Sequence, residues 1–176
     1  YKRIADRVAQ AAVRSGRQPE DVSLLAATKT VQPEYINHAI ACGLRFVGEN
    51  RVQELLEKYD RLDLDRGVSC QMIGRLQTNK VKYIVDKVDC IQSVDSVKLA
   101  GEISRLSERI GRRMPVLVEV NIGEESNKGG VLPEKLYEFL AEISAFPGIQ
   151  IEGLMAIPPI CAEKTDQCQY KGNPNF

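Results

Sequence analysis

The sequence contains one histidine, no excess of either charge and no long apolar run, and each scarcity excludes a class of function. Lys plus Arg and Asp plus Glu each total 24, so the chain has no basic footprint for nucleic acid or an anionic membrane surface. The five cysteines form no Cys-x-x-Cys pair, and one histidine cannot complete a zinc site with them. We therefore expect neither nucleic acid, nor a membrane, nor a metal as a partner, whereas a small phosphate-bearing ligand needs only a local pocket.

The N-terminus lacks the features of a targeting segment. No apolar run reaches the roughly 18 residues that a membrane span requires. Residues 1–6 place no apolar core behind their basic side chains, so we expect no signal peptide, and the missing initiator Met suggests a trimmed start. An odd number of cysteines without a signal suits a reducing cytosol. We expect a cytoplasmic protein that is a monomer or a weak dimer.

Short apolar runs alternate with amphipathic helical stretches along most of the chain. The 176 residues, 43 % of them apolar, suffice for one domain with a substantial core. The spacing predicts helices over 2–15, 33–42, 52–59, 79–86, 97–110 and 133–146. It predicts strands over 22–27, 45–48, 70–74, 90–94, 115–121 and 149–157.

Six strands that alternate with helices indicate an α/β fold with parallel strands. The first run, Val22–Ala27, is almost continuously apolar, which is typical of a strand covered on both faces. No Gly-x-Gly-x-x-Gly follows it, so the dinucleotide fingerprint of an open, doubly wound sheet is absent. Polar residues instead follow each strand, as they do at the functional face of an eightfold barrel. We predict a TIM-type (β/α) barrel over 1–157, incomplete at its C-terminus with about six of eight strand–helix units, and an atypical tail over 158–176 without a strand.

Lys29 comes directly after the first predicted strand. A lysine that faces a barrel mouth with apolar walls loses solvation, which lowers the pKa of its amine as a Schiff-base lysine requires. From position alone, an ordinary solvated lysine in a loop is the more economical interpretation.

Two further strand ends carry candidate residues. Glu49 and Asn50 follow the second strand, where they would orient a ligand ring or hold the lysine, or else cap the helix that begins near Arg51. Gly74 ends the third strand and would permit close backbone approach to a ligand, although the polar run after it also suits an ordinary helix entry. Met155, in the sixth strand, is interpreted on position alone as barrel filling.

The loop after the fifth strand is longer than the others. Glu125 and Lys128 lie there at helical spacing and would form an exposed ion pair. We favour a structural role for this loop.

Five segments in the same order resemble a known family. They are Leu24–Thr30, Phe46–Glu54, Ile73–Lys80, the Asn121, Glu125, Lys128 and Gly130 spacing, and Gly153–Ile157. Together they resemble the pyridoxal phosphate homeostasis proteins, which are similar to the barrel domain of alanine racemase without its second domain. The resemblance runs from Arg3 to Pro158.

This resemblance implies a single-domain barrel that holds pyridoxal 5′-phosphate as a Schiff base on Lys29. It implies that Asn50 lies beside the cofactor, and we assign Gly74 and Met155 to the same binding site. The family is regarded as a cofactor carrier or regulator without established turnover. Racemisation would also require an acid–base partner on the opposite ring face, which the racemase supplies from elsewhere.

The sequence departs from the family pattern in two places. Cys70 and Gln71 stand where the family usually has Trp-His. The Ser/Gly-rich and Arg-Ile-Gly-Thr segments that bind the phosphate and the pyridine nitrogen in the family's last two strands do not occur. Phosphate sites of barrels are expected in that part of the fold, so we expect weak cofactor binding. The alternatives are a racemase-like enzyme, a cofactor-free lysine-imine lyase and a fragment that no longer binds the cofactor.

Overall fold

The computed structural model of the chain describes residues 1–123 and 129–158. The α-helices are α1 (Lys2–Arg14), α2 (Pro33–Ala41), α3 (Val52–Tyr59), α4 (Val97–Arg109) and α5 (Leu136–Ile143). The strands are β1 (Leu25–Ala27), β2 (Phe46–Glu49), β3 (Ser69–Met72), β4 (Cys90–Val94), β5 (Met114–Glu119) and β6 (Ile149–Met155). Among these described residues the strand order follows the chain order, and no helix has the length and hydropathy to cross a membrane.

The chain divides into two compact units, of which the first is Tyr1–Ile91. Its strands pair in parallel, and Ala27 lies beside Gly48 at the carboxyl end of β1. The core lies between the strands and α3, where Leu55 is completely buried. Burying a leucine side chain contributes roughly 1.5–3 kcal/mol. The apolar stripe of α3 therefore holds this helix beside the carboxyl end of β2.

The second unit begins at Gln92. β5 and β6 pair in parallel, with an irregularity in register between Val116 and Leu117. Alternate residues of β5 are buried, as expected for a strand with one face in the core. On α4, Leu99, Ile103 and Leu106 are buried at spacings of four and three residues, which places them on one face of the helix.

The first predicted strand is shorter and more open than expected. β1 spans Leu25–Ala27 instead of 22–27, because Val22 caps the 3-10 helix Pro19–Asp21. Leu25 and Ala26 are half-buried and Ala27 is exposed, so the prediction of a strand covered on both faces is wrong. Among the described residues β1 is an edge strand, paired with β2 alone, which explains its exposure.

Two predicted helices are also wrong in type or extent. The segment 79–86 was predicted as an α-helix, but it lies in the 3-10 helix Thr78–Tyr83 and the turn that follows. Its apolar residues Val81, Ile84 and Val85 are all buried, so a tight 3-10 helix with a turn satisfies the same spacing that suggested an α-helix. The segment after Pro133 begins as a 3-10 helix before α5.

We predict opposite effects of an added methyl group at two glycines, one within α4 and one packed against it. A Cβ at Gly148 would overlap the backbone of Ser104, whereas a Cβ at Gly101 would meet Phe146 at an ordinary 3.5 Å. We expect Gly148→Ala to lower the free energy of unfolding by about 1–3 kcal/mol through overpacking. Gly101→Ala should raise it by about 0.5–1 kcal/mol because alanine favours helix. Urea unfolding measures both, and equal stability of the two variants would contradict this packing.

Candidate functional site

A reverse turn follows β1 and carries Lys29 as one of its two central residues. The Val31 N–H donates to the Thr28 carbonyl over 3.1 Å and closes the turn. The Lys29 side chain is exposed. The expected enclosure of Lys29 by apolar walls is therefore wrong for the described residues, because the side chain leaves from a turn beyond the end of a short edge strand.

Thr28 fixes the peptide that precedes Lys29. Its N–H donates to the Gly48 carbonyl over 2.9 Å, and its hydroxyl donates to Glu49 Oε1 over 2.7 Å. Its carbonyl accepts from Lys58 Nζ over 2.9 Å. Thus the three polar groups of Thr28 are all bound by β2 or α3, and the backbone position of Lys29 is set by these bonds.

Glu49 and Lys58 form a buried ion pair behind this turn. Lys58 Nζ lies 2.9 Å from Glu49 Oε1, and the Glu49 side chain is completely buried while that of Lys58 is 11 % exposed. Burial of a carboxylate is costly unless opposite charge and hydrogen-bond donors compensate for lost water. Lys58 and the Thr28 hydroxyl compensate at Oε1, whereas Oε2 is buried without a hydrogen-bond partner among the described residues. The sequence suggested that Glu49 orients a ligand ring or holds Lys29, whereas the lysine that binds Glu49 in the structure is Lys58.

Asn50 follows β2 and has a buried side-chain oxygen, Oδ1, without a hydrogen-bond partner among the described residues. The interpretation of Asn50 as a helix cap is wrong, because the N-cap position of α3 is Arg51 and no side chain caps it. A buried acceptor of this kind suits a ligand that donates a hydrogen bond.

Gly74 lies against the backbone of Asn50, and a Cβ there would overlap it. The absence of a side chain at Gly74 was expected to let a ligand approach the backbone closely. In the structure it is the Asn50 backbone that approaches. The register of β1 and β2 pairs Ala27 with Gly48, so Lys29 and Asn50 each lie two residues beyond this pair, at the carboxyl ends of neighbouring strands.

α3 contacts the turn at a second point. Glu54 Oε2 accepts a hydrogen bond from the Thr30 N–H over 3.2 Å, and Glu54 Oε1 lies 3.5 Å from Arg51 Nη1. Thr30 has a φ of 58°, in the left-handed region that β-branched residues rarely adopt. The turn therefore holds a strained residue directly after Lys29.

The remaining candidate residues lie in the second unit or outside the described residues. Met155 is the last residue of β6 and is half-buried, and its carbonyl accepts from the Val120 N–H over 2.8 Å. Its assignment to a cofactor stays a prediction. The loop pair Glu125 and Lys128 lies outside the described residues.

Cys70 on β3 is not suited to nucleophilic chemistry. Burial, with a smaller contribution from the Asp89 carboxylate, raises the pKa of its thiol to about 12. At neutral pH the side chain is therefore a thiol, which is a poor nucleophile. Among the described residues no group of three or more metal-ligating side chains occurs either.

Comparison with known proteins identifies the family. The alanine racemase N-terminal domain family matches residues 2–172. This chain belongs to that family. The pyridoxal phosphate homeostasis protein of Aquifex aeolicus is 45 % identical over 96 % of the chain and 73 % of its own length. The Pseudomonas aeruginosa and Escherichia coli K12 proteins of that name are 37 % and 35 % identical over 94 % and 88 % of the chain, and 71 % and 67 % of their own lengths.

Solved structures of relatives confirm the predicted fold class. A protein of unknown function from Bifidobacterium adolescentis superimposes with a TM-score of 0.90 at 36 % identity, covering 96 % of this chain and 72 % of its own. PipY of Synechococcus elongatus with PLP bound superimposes at 0.74 and 32 % identity, covering 94 % of this chain and 75 % of its own. Alanine racemase of Clostridium difficile, at 14 % identity, shares the fold at a TM-score of 0.65. The described residues of this family member supply six strands of an incomplete α/β barrel.

Sequence reasoning missed the part played by α3. Glu54 and Lys58 look like surface charges of an amphipathic helix, and only the fold shows that both reach the Lys29 turn. Their spacing of four residues places them on one face of α3, which was the one available signal.

Removal of the Lys58 charge tests the buried ion pair. Lys58→Met keeps much of the apolar stem but leaves Glu49 buried without its cation. We expect a loss of about 3–5 kcal/mol in the free energy of unfolding. Combining it with Glu49→Gln should recover a large part of that loss, because no uncompensated charge remains. Urea unfolding measures both variants, with Lys98→Met, an exposed site on α4, as the control. A double variant less stable than Lys58→Met would contradict this account.

Proposed function

We propose that the chain binds pyridoxal 5′-phosphate through Lys29 and serves cofactor homeostasis as a carrier without catalytic turnover. The observation that carries this proposal is the geometry of the turn after β1. There an exposed lysine amine follows a peptide fixed by buried hydrogen bonds. At the end of the neighbouring strand, Asn50 Oδ1 is a buried acceptor that no described residue satisfies.

The chemistry required of Lys29 is reversible. Lys29 would hold the cofactor through a Schiff base between its amine and the cofactor aldehyde, with the loss of one water molecule. Another amine can exchange with Lys29 and remove the cofactor, which suits a carrier. An exposed side chain favours such exchange because incoming amines reach it directly.

The residues around Lys29 fit a ligand with hydrogen-bond donors. Glu49 Oε2 and Asn50 Oδ1 are both buried and unpartnered among the described residues. An unsatisfied buried acceptor costs about 1–3 kcal/mol, which a donor on a bound ligand would offset. The hydroxyl and protonated ring nitrogen of pyridoxal 5′-phosphate are donors of this kind. We assign Asn50 to the cofactor, and we assign to Gly74 the task of letting the Asn50 backbone approach.

The relatives support the same ligand. Proteins named for pyridoxal phosphate homeostasis are 35–45 % identical to this chain, and PipY has been solved with PLP bound. The racemases superimpose at only 14–15 % identity, so they support the fold and not their reaction. We therefore place a non-enzymatic role before a racemase-like one.

We assign Met155 to the same cofactor-binding site, and this assignment rests on the resemblance to the family. We further propose a monomer or weak dimer in the cytoplasm, and the thiol state of Cys42 and Cys70 supports only the proposed location.

Borohydride trapping tests the proposal. The chain is incubated with pyridoxal 5′-phosphate, reduced, digested and analysed by mass spectrometry. We expect the reduced adduct on the peptide that contains Lys29, accompanied by a visible absorption band before reduction. Lys29→Ala should abolish both, whereas the control Lys98→Ala, at an exposed lysine of α4, should leave them unchanged.

Three results would count against the proposal. An adduct that survives in Lys29→Ala at the same yield would remove Lys29 from the site, and a wild-type chain without any adduct would favour a fragment that no longer binds. Exchange of the α-hydrogen of an amino acid, lost in Lys29→Ala, would favour the racemase-like enzyme.

A further inference from the structure

The two peptide groups that flank Lys29 are both held by α3. Lys58 Nζ donates to the carbonyl of Thr28 over 2.9 Å, and Glu54 Oε2 accepts from the N–H of Thr30 over 3.2 Å. Glu54 and Lys58 are four residues apart and therefore lie on one face of the helix. One bond acts before Lys29 and the other after it.

The sign of each charge suits the peptide group to which it hydrogen-bonds. An ammonium donates to a carbonyl and a carboxylate accepts from an N–H, and such charge-assisted hydrogen bonds are stronger than those between neutral groups. Glu54 is itself oriented by Arg51, whose Nη1 lies 3.5 Å from Glu54 Oε1. Lys58 is oriented by the buried carboxylate of Glu49. Each holding group thus has a second partner, which is buried for Lys58 and largely exposed for Glu54.

The backbone between these two hydrogen bonds has an intrinsically unfavourable conformation. Thr30 has a φ of 58°, and a β-branched side chain is disfavoured in the left-handed region. Such a residue persists only where surrounding contacts hold it, and strained residues cluster at ligand sites. The Glu54 bond to the Thr30 N–H is a contact of this type.

We infer that Glu54 and Lys58 are positioning residues for Lys29, acting as a two-point clamp on its backbone. This inference rests on the proposed function. The clamp fixes where the Lys29 side chain starts, which narrows the region in which its amine meets a bound aldehyde. Preorganisation of this kind lowers the entropy lost on binding and speeds reaction within the site. The exposed side chain of Lys29 keeps its own freedom, which its exchange with other amines requires.

Glu54 is the better residue for a test, because loss of Lys58 leaves Glu49 buried without its cation. Glu54→Ala removes the acceptor, whereas Glu54→Gln keeps an oxygen that can accept from the Thr30 N–H. Glu57→Ala, which removes an exposed carboxylate from the same helix, is the matched control. Thermal unfolding shows that each variant folds.

Three readouts separate positioning from reactivity. The first is hydrogen exchange at the Thr30 amide without ligand. The second is the rate at which pyridoxal 5′-phosphate forms the borohydride-reducible adduct at Lys29. The third is reductive methylation of Lys29 by formaldehyde and cyanoborohydride, which requires an accessible amine but no binding geometry.

In Glu54→Ala we expect exchange at Thr30 to become about tenfold faster and adduct formation about tenfold slower, as for loss of one hydrogen bond. Methylation of Lys29 should be unchanged. Glu54→Gln should restore both affected readouts to within about threefold of wild type, and Glu57→Ala should match wild type.

Other patterns overturn the inference. Adduct formation at the wild-type rate in Glu54→Ala removes the positioning role, and an equal fall in methylation shows that Glu54 acts on the amine and not on its placement. If the wild-type chain forms no adduct while Glu54→Ala still speeds exchange at Thr30, the proposed function is wrong and the clamp is only structural.

Discussion

A completely buried carboxylate holds the candidate site together. Glu49 cannot reach water, so its charge is tolerated only because Lys58 and the hydroxyl of Thr28 both bind Oε1. These bonds join the end of β1, the end of β2 and helix α3. The turn that carries Lys29 begins at Thr28, so the position of the exposed amine depends on this buried charge.

The same region leaves two buried acceptors unsatisfied among the described residues, Glu49 Oε2 and Asn50 Oδ1. A fold optimised for stability alone would avoid both, since each carries a desolvation cost. A binding site accepts that cost because the ligand removes it. The structure therefore has an exposed lysine on a turn held by hydrogen bonds, with two unsatisfied buried acceptors nearby in the sequence, as expected for the proposed binding function.

The regular apolar spacing of the sequence predicted the helices and strands well enough that α3 and β4 have the expected bounds. The contact of Gly74 with the Asn50 backbone agrees with the expected grouping of strand ends, whereas the place of Lys29 in the same site stays a prediction. The sequence left the exposure of Lys29 undecided: the solvated lysine that position alone favoured agrees with the structure, and the enclosure by apolar walls does not, since the burial of β1 depends on which neighbours cover it. Nor did it reveal the role of Lys58, whose spacing on α3 is that of a solvated lysine while its partner is reached only through the fold.

The most direct test of this account replaces Asn50 by leucine, which has the same number and branching of side-chain heavy atoms but no side-chain polar atom, and measures stability and ligand binding together. If Asn50 Oδ1 is an acceptor kept for a ligand, the ligand-free variant should unfold at equal or higher urea concentration than wild type. Its affinity for pyridoxal 5′-phosphate should fall by about tenfold, as expected for one lost hydrogen bond. A variant that is clearly less stable and binds the cofactor as tightly as wild type would contradict the account, because Asn50 would then serve the fold and not a ligand.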